Sequence, residues 1–211
     1  MNILLQQTNS RVQLRPWHRR DDLILQAWPP YTDPLNMLWN LPRTPLLPPP
    51  FFAYGTTPHI QRLWAIEDPK QRLLGRLSLR EIDQKKGSAR LGISLNPAHL
   101  GQGLGTEALL IFFNYFFGPL AFATMQLDVA ALNLRAVRCY LRLGFQPVGE
   151  EWREVGQDLT RKLLHDPHYP DLRAYFRRES QKFFTQFIEM ELDYYAAQLN
   201  LAASPLATQA V

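Results

Sequence analysis

The sequence predicts an α/β (α+β) fold, in which a mixed sheet carries helices on its faces. Short segments of alternating or continuous apolar residues recur along the chain and are bounded by turn residues, as strands are. Two longer segments have apolar residues at helical spacing, and each follows a strand-like segment. The 211 residues, 46% hydrophobic and 20% charged, are typical of one folded domain and exclude a disordered chain.

The N-terminal part predicts a strand over residues 11–17 and a helix over 21–28. Nine of the 17 prolines then lie in residues 29–58, where few regular elements are expected because proline lacks the N–H group. Aromatic residues accompany these prolines, so we predict an ordered loop insertion that packs on the domain. The aromatic side chains either fill an edge of the core or form the wall of a pocket; they are Trp28, Tyr31, Trp39, Phe51, Phe52 and Tyr54.

The central part contains the most regular pattern. Strands are predicted over residues 62–67, 73–82, 89–95, 124–130 and 145–155. Helices are predicted over residues 104–117 and 133–143. Gly118-Pro119 ends the first helix, whereas Asn133 and Gly144 are suited to the N-cap and the position after the end of the second.

The last third is less regular. Residues 159–164 are suited to a short helix, and residues 174–179 and 182–194 to a strand pair around Ser180-Gln181. Helical spacing over residues 173–187 leaves a helix as the alternative there. We expect a single domain over residues 1–195, and a frayed tail over residues 196–211, where small and polar residues dominate.

Composition and charge exclude several classes of protein. Cys139 is the single cysteine, which excludes a disulfide framework and a zinc site built on several thiolates. The net charge of +4 suits an anionic ligand but is too small to indicate a nucleic acid partner. The longest apolar stretch, residues 108–117, is shorter than the roughly 20 residues of a membrane span, and residues 1–7 do not resemble a signal peptide. We expect a cytoplasmic protein without a membrane partner, as a monomer or a homodimer.

A glycine loop is the most informative motif. Gly101, Gly103 and Gly105 alternate between the end of a strand and the start of a helix. Such glycines allow positive φ angles and turn backbone N–H groups into one concavity, to which the helix adds its own free N–H groups. A pyrophosphate fits this arrangement. The following Thr106-Glu107 excludes a P-loop, and the Gly-x-Gly-x-Gly spacing excludes a dinucleotide fingerprint. An ordinary tight turn is the remaining alternative.

A second pattern follows about 30 residues later: Leu127-Asp128-Val129, then Asn133-x-x-Ala136-x-x-x-Tyr140-x-x-x-Gly144-Phe145. The two patterns, in this order and at this distance, resemble the GNAT superfamily of acyl-CoA-dependent N-acyltransferases. Thr106-Glu107-Ala108 and Met190-Glu191-Leu192 are similar to the branch that includes ribosomal-protein N-terminal acetyltransferases. The resemblance implies a mostly antiparallel sheet that splays at the cofactor site, and acetyl-CoA as co-substrate without a metal.

The resemblance also implies roles for cofactor-binding residues. The backbone of Ser94 and Leu95 would pair with pantetheine in the splayed gap. The remaining cofactor contacts would come from Leu100, Gly101, Gln102, Gly103, Leu104, Gly105, Thr106 and Asn133. Leu100 stands where the family often has Arg or Gln, so one contact to the anion is expected to be lost. Asn133 suits a helix N-cap, a contact to the cofactor arm, or both.

Tyr140 matches the tyrosine that the resemblance implies as general acid; the alternative is a tyrosine packed on the sheet. Related enzymes often carry a glutamate as general base on the strand before the loop, but Arg90 occupies that position here. Glu81 and a water molecule held by Ser94 are the candidate substitutes, although Glu81 also suits a surface position at a strand end. Helical spacing predicts that Cys139 faces away from Tyr140.

The resulting hypothesis is an N-acetyltransferase that transfers an acetyl group from acetyl-CoA directly to a primary amine. Its acceptor is a small molecule or a peptide: a peptide N-terminus, an amino acid or a polyamine. Trp28, Tyr31 and Tyr54 are the candidate acceptor-binding residues. One alternative is a non-catalytic acyl-CoA-binding regulatory module, which the absent base-position glutamate motivates. Another is a scaffold whose residues 29–58 bind partner proteins.

Overall fold

The computed structural model describes residues 4–7, 9–39, 62–156, 160 and 163–203. The strands in these residues are β1 (Leu5–Gln6), β2 (Gln13–Pro16), β3 (Arg62–Glu67), β4 (Leu73–Asp83), β5 (Ser88–Leu95), β6 (Thr124–Ala130), β7 (Gln146–Val155), β8 (Phe176–Glu179) and β9 (Lys182–Asp193). The helices are α1 (Arg19–Gln26), α2 (Leu104–Phe117), α3 (Leu134–Arg142) and α4 (Tyr194–Ala203). Short 3-10 helices occur at Pro34–Leu38, Pro97–His99 and Pro170–Tyr175.

Most of these elements lie where the sequence predicts them. The bounds of β3, α2 and β6 are the predicted ones, and β8 and β9 form the predicted strand pair, so the helical alternative there is wrong. Where a frayed tail was expected from residue 196, α4 extends to Ala203 and buries Ala197. Residues 204–211, residues 40–58 of the proline-rich insertion and residues 159, 161 and 162 of the predicted helix over 159–164 lie outside the described residues.

The strands form one mixed sheet in the order β1-β2-β3-β4-β5-β6-β9-β7, with β8 also paired to β9. The pairing of β5 with β6 is parallel, and every other pairing in the described ranges is antiparallel. This confirms the predicted fold class. None of the helices within those ranges is long and apolar enough to cross a membrane.

Helix α2 supplies the centre of the hydrophobic core. Its Phe112, Phe113 and Phe116 are fully buried, and Phe112 packs edge-on against Trp64 of β3 at a ring-centroid distance of 4.8 Å. Burying one such side chain contributes roughly 1.5–3 kcal/mol. Because this packing holds α2 firmly on the sheet, the start of the helix has a fixed position beside β5.

The sheet splays between β5 and β6. These strands pair only at Ser88–Arg90 and Thr124–Gln126, although β5 stays paired with β4 as far as Leu95 and β6 stays paired with β9 as far as Ala130. A gap therefore opens between the later residues of both strands. This is the splayed sheet that the resemblance implies.

The two faces of the sheet differ in what covers them. A Cβ added to Gly105 of α2 would meet the side chain of Leu95 at 3.1 Å, so α2 packs on the face that carries Ile93 and Leu95. We call this the α2 face. A Cβ added to Gly92 would meet Ser78 Oγ at 2.6 Å on the opposite face.

Helix α1 lies on that opposite face, because the buried Asp21 of α1 accepts a hydrogen bond from Arg15 at 2.7 Å. Arg15 of β2 pairs with Ala65 of β3, which pairs with Arg76 of β4. Paired residues on adjacent strands share a face of the sheet, so Arg15 and Arg76 lie on the same face. We call this second face the α1 face. The sheet thus carries helices on both faces, as predicted.

Candidate active site

A cavity of about 1390 Å³ occupies the gap between β5 and β6. It is bordered by β4, the glycine loop, the starts of α2 and α3, and residues 25–39. Most of the sequence-predicted site residues line it: Trp28, Tyr31, Ser94, Leu95, Leu100, Gly101, Gly103, Gly105, Thr106, Asn133 and Tyr140. Gln102, Leu104 and Glu81 are not among its lining residues, and Tyr54 lies outside the described residues.

The glycine loop forms a cradle of backbone N–H groups at one end of the cavity. Gly101 and Gly103 have φ angles of 75° and 79°, in the left-handed region that favours glycine. Gly103 is the N-cap of α2, and its carbonyl accepts the N–H of Glu107 at 3.1 Å. In an α-helix the three amides before that one have no intrahelical acceptor. One of these three amides belongs to Leu104, which adds it to the cradle while its side chain is buried in the core.

Arg11, which the sequence analysis did not select, braces this loop. Its guanidinium donates to the Gln102 carbonyl at 3.0 Å and to the Glu107 carboxylate, with Nε at 2.6 Å from Oε1. The side chain is 57% exposed, so it also presents positive charge beside Gly103. Arg11 is more than 90 residues from its partners in sequence, and no local pattern could have revealed the contact.

The backbone of β5 presents alternate residues to the gap. Asn96 N donates to Leu74 O at 2.8 Å, so in an antiparallel pair the backbone groups of Ser94, two residues away, also point at β4. Those of Ile93 and Leu95 point at the gap. This corrects the prediction for the Ser94 backbone, because only the Ser94 side chain is left to contribute. The Leu95 carbonyl already accepts the Tyr31 hydroxyl at 2.7 Å.

Helix α3 brings Tyr140 to the far wall of the cavity. Asn133 caps the helix by accepting the Ala136 N–H at 3.3 Å, and the Tyr140 ring packs edge-on against Phe145 at 5.6 Å. The Tyr140 hydroxyl has no hydrogen-bond partner in the described part of the chain. Burial, with smaller contributions from Cys139 and Asp128, raises the pKa of the phenol. Tyr140 therefore keeps its proton at neutral pH.

Cys139 borders the same cavity as Tyr140, contrary to the prediction that it faces away. Its Sγ lies 3.4 Å from Thr106 Oγ1 of α2, so this contact joins the two helices at the site. Consecutive helical residues are about 100° apart, and a wide cavity accommodates both.

Asp128 of β6 is the centre of a buried charge cluster that the sequence analysis missed. It is 4% exposed and forms ion pairs with Arg80 at 2.7 Å, Arg153 at 2.7 Å and Arg90 at 3.1 Å. Burial disfavours the ionised carboxylate, but the three guanidiniums outweigh it and lower the pKa of Asp128. Asp128 is therefore an ionised anchor and a poor base.

Glu81, the predicted general base, lies at the edge of this cluster. Its carboxylate accepts Arg90 Nε at 2.8 Å, and its side chain is 45% exposed. Because Glu81 does not line the cavity and is engaged by Arg90, the geometry gives its role as base no support.

Residues 28–39 close the cavity on the α1 face. Tyr31 and Trp39 stack edge-on at 5.5 Å, and the Arg135 guanidinium of α3 lies 5.5 Å above the Trp39 ring. Asp33 caps the short helix between them by accepting the Leu35 N–H at 2.8 Å. This segment therefore bridges the end of β5 and the start of α3.

Known proteins share this architecture. Residues 11–146 match the model of the acetyltransferase (GNAT) domain. The chain is 32% identical over 121 residues to spermidine N(1)-acetyltransferase of Vibrio cholerae serotype O1, across 57% of this chain and 65% of that protein. It is 37% identical over 54 residues to a kanamycin resistance protein of Rhizobium radiobacter, across 26% of this chain and 50% of that protein. The chain thus matches two thirds or less of the length of either curated relative.

A solved structure gives the fold comparison. Spermidine N-acetyltransferase from Vibrio cholerae in complex with CoA and spermine has a TM-score of 0.62, with 90% of this chain and 99% of that chain covered. The sequence identity is 20%, so this likeness concerns the fold.

Proposed function

The chain belongs to the GNAT acetyltransferase family, and on this premise we propose that it transfers an acetyl group from acetyl-CoA directly to a primary amine. One observation carries the proposal: a single cavity has backbone N–H donors at one end and, on its wall, the Tyr140 hydroxyl, which no described residue engages. The curated relatives described above include a polyamine enzyme, and neither supports the narrower branch of ribosomal-protein N-terminal acetyltransferases. A cytoplasmic location remains a prediction.

The cofactor end of the cavity suits coenzyme A. Its pyrophosphate would accept hydrogen bonds from the backbone amides of the glycine loop. The space beside Gly101 is open, because a Cβ placed there would meet no atom within 4 Å. Arg11 supplies positive charge that Leu100 cannot. The pantetheine arm would lie in the gap along Ile93 and Leu95, whose backbone groups point into it. Asn133 lines the cavity beside this path while also capping α3.

The chemistry is a direct transfer. The neutral amine nitrogen attacks the thioester carbonyl carbon, the C–N bond forms, and the C–S bond breaks. A gap-facing N–H of β5 polarises the carbonyl oxygen. The leaving thiolate takes the proton of the Tyr140 hydroxyl, and the proton lost by the amine restores it through solvent. General acid catalysis of this kind contributes about 10²–10⁴ in rate.

The proton of the substrate ammonium must leave before attack. Among the described lining residues, the carboxylates Glu107 and Asp128 are both bonded to arginine. We therefore assign the first proton transfer to a water molecule held by Ser94. Without a protein base, kcat/KM should rise about tenfold per pH unit below the pKa of the acceptor amine. The pH profile of kcat/KM is measured with two amines of different pKa. A plateau in kcat/KM that starts well below the pKa of the amine would identify a protein base instead.

Calorimetry with CoA and a thiol-release assay with an amine panel test the proposal together. We expect CoA binding and amine-dependent release of CoA from acetyl-CoA. Absence of CoA binding would remove the cofactor site. Tight binding without turnover of any amine would favour the acyl-CoA-binding module.

A further inference from the structure

Arginine side chains, not free carboxylates, face the acceptor part of the cavity. We propose that the acceptor amine of this chain carries a negatively charged group, which Arg80 and Arg76 bind, and that polycationic amines are rejected by charge. This inference rests on the proposed function, because it names the acceptor class of the same cavity. It departs from the polyamine in the name of the spermidine enzyme.

The position of Arg76 and Arg80 separates them from the phosphate end. Both line the cavity from β4, and both share the α1 face with Ser78. The glycine loop leads into α2, which packs on the α2 face. The sheet therefore lies between these two guanidiniums and the amides that hold the pyrophosphate. The two guanidiniums are therefore placed to contact the second substrate and not the phosphates.

Arg80 has hydrogen-bonding capacity left for a ligand. One of its nitrogens, Nη2, donates to Asp128 Oδ1 at 2.7 Å, and its side chain is 38% exposed. Asp128 divides its single negative charge among three arginines. Arg90 and Arg153 each contact a second carboxylate, Glu81 at 2.8 Å and Glu151 at 3.0 Å. Within the described ranges Asp128 is the one carboxylate that touches Arg80, whose other N–H groups can receive an anion.

A polyamine would lack a counterion in this cavity. The acidic residues that line its described part are Glu107 and Asp128, and arginines bond both. Residues 40–61, which follow Trp39 in the chain, contain neither Asp nor Glu in their sequence. A second ammonium brought into such a cavity loses water without gaining an anion, which is costly.

The indole N–H groups of two tryptophans are further hydrogen-bond donors of the cavity. The indole nitrogens of Trp28 and Trp39 are buried and have no acceptor in the described structure, and both residues line the cavity. An indole N–H is a donor only, as is a guanidinium. Their complement is a ligand rich in oxygen acceptors, such as a carboxylate, and not a chain of ammonium groups.

Matched amines test the charge preference. Three probes have the same four-carbon chain and differ in the distal group: 4-aminobutanoate, butylamine and 1,4-diaminobutane. The same set with six carbons, glycine and spermidine complete the panel. We measure kcat/KM with acetyl-CoA and, by calorimetry, binding of each amine to the CoA-saturated protein. We expect an amino acid to exceed its matched diamine by about tenfold or more in both measurements.

Variants connect this preference to the two arginines. Arg80→Gln and Arg76→Gln should each raise KM for the amino acid about tenfold, with the butylamine KM and the CoA affinity nearly unchanged. The exposed Arg173→Gln, outside the cavity lining, is the control for loss of one positive charge.

A diamine or spermidine that binds and reacts best overturns the inference, as does an unaltered preference in both folded variants. Turnover of no amine, despite selective binding of the amino acids, would instead overturn the proposed function and leave the charge preference standing.

Discussion

The two halves proposed for the cavity, a cofactor half and an acceptor half, are built in different ways. The cofactor half consists mainly of backbone: the left-handed Gly101 and Gly103, the free amides of α2 and the gap-facing groups of β5. The acceptor half consists of side chains from separate elements, such as Arg80 of β4, Asp128 of β6 and Tyr31 of the proline-rich segment.

This difference explains what each half can tolerate. A backbone site depends on a few residues whose φ angles must be left-handed, while its neighbours can vary. A side-chain site can be altered residue by residue, which suits a family whose members act on different amines. We expect substitutions in the first half to change CoA affinity and those in the second to change the acceptor KM.

Tyr140 lies where the halves meet, and its variant should have the largest effect. Tyr140→Phe keeps the ring against Phe145 and removes one hydroxyl. We expect kcat to fall about hundredfold, with CoA affinity within twofold of the wild type. Because burial raises the pKa of this phenol above its ordinary 10.0, the wild-type kcat should show no alkaline loss below about pH 10. A wild-type kcat in the variant, on an amine that the enzyme accepts, would contradict the role as acid.

Gly103→Val tests the backbone half. The φ of 79° is strained for any side chain with a Cβ, at a cost of about 1–2 kcal/mol, and more for a branched one. We expect the Kd for CoA to rise about tenfold while the acceptor KM changes little. Gly156→Val is the matched control, because a Cβ there meets no atom within 4 Å. Unchanged CoA affinity in a folded Gly103→Val variant would remove the loop from the cofactor site.

Trp28→Ala tests the side-chain half. Losing this cavity wall should raise the acceptor KM about five- to tenfold and change the Kd for CoA by less than twofold. Leu23 lies on the preceding helix α1, is 71% exposed and is outside the cavity, so Leu23→Ala controls for the loss of apolar surface. A lower melting temperature with a normal KM would show that Trp28 is only a core residue.

Arg11→Ala should have the smallest effect. Its ion pair with Glu107 is largely exposed, and such pairs contribute little to stability. We expect the Kd for CoA to rise about two- to threefold, with a smaller difference at high salt because ions screen the charge. An effect equal to that of Gly103→Val would mean that a side chain, not the backbone, dominates the cofactor half.

The residues proposed for the cofactor half could be selected from the sequence because they lie in continuous segments of the chain. Gly101 to Thr106 form one segment, and Asn133 to Tyr140 are the N-cap and body of one helix, so the family resemblance rests on two short motifs. The exception is Ser94. Which backbone groups face the gap depends on which residues of β5 form hydrogen bonds with β4, and the sequence of β5 alone does not show this.

The acceptor half was not predictable in this way. Arg80, Asp128 and Arg153 are far apart in the chain, and the order β4-β5-β6-β9-β7 brings them together. Glu81 lies near a strand end, as its place in the sequence predicts, but its carboxylate accepts a hydrogen bond from Arg90 of the neighbouring strand. A side chain's partners follow from topology, and a single sequence does not contain the strand order explicitly.

That strand order also constrains how the chain folds as it is synthesised. Strand β9, which follows every other described strand in the chain, inserts between β6 and β7, and pairs Thr124 with Asp193. Arg153 reaches Asp128 across this inserted strand, with its guanidinium 3.9 Å above the Phe187 ring. Until β9 arrives, β6 presents an unpaired edge with apolar residues, and such edges promote aggregation. The acceptor half should therefore form late and slowly during translation, whereas the glycine loop and α2 can already pack on the earlier strands.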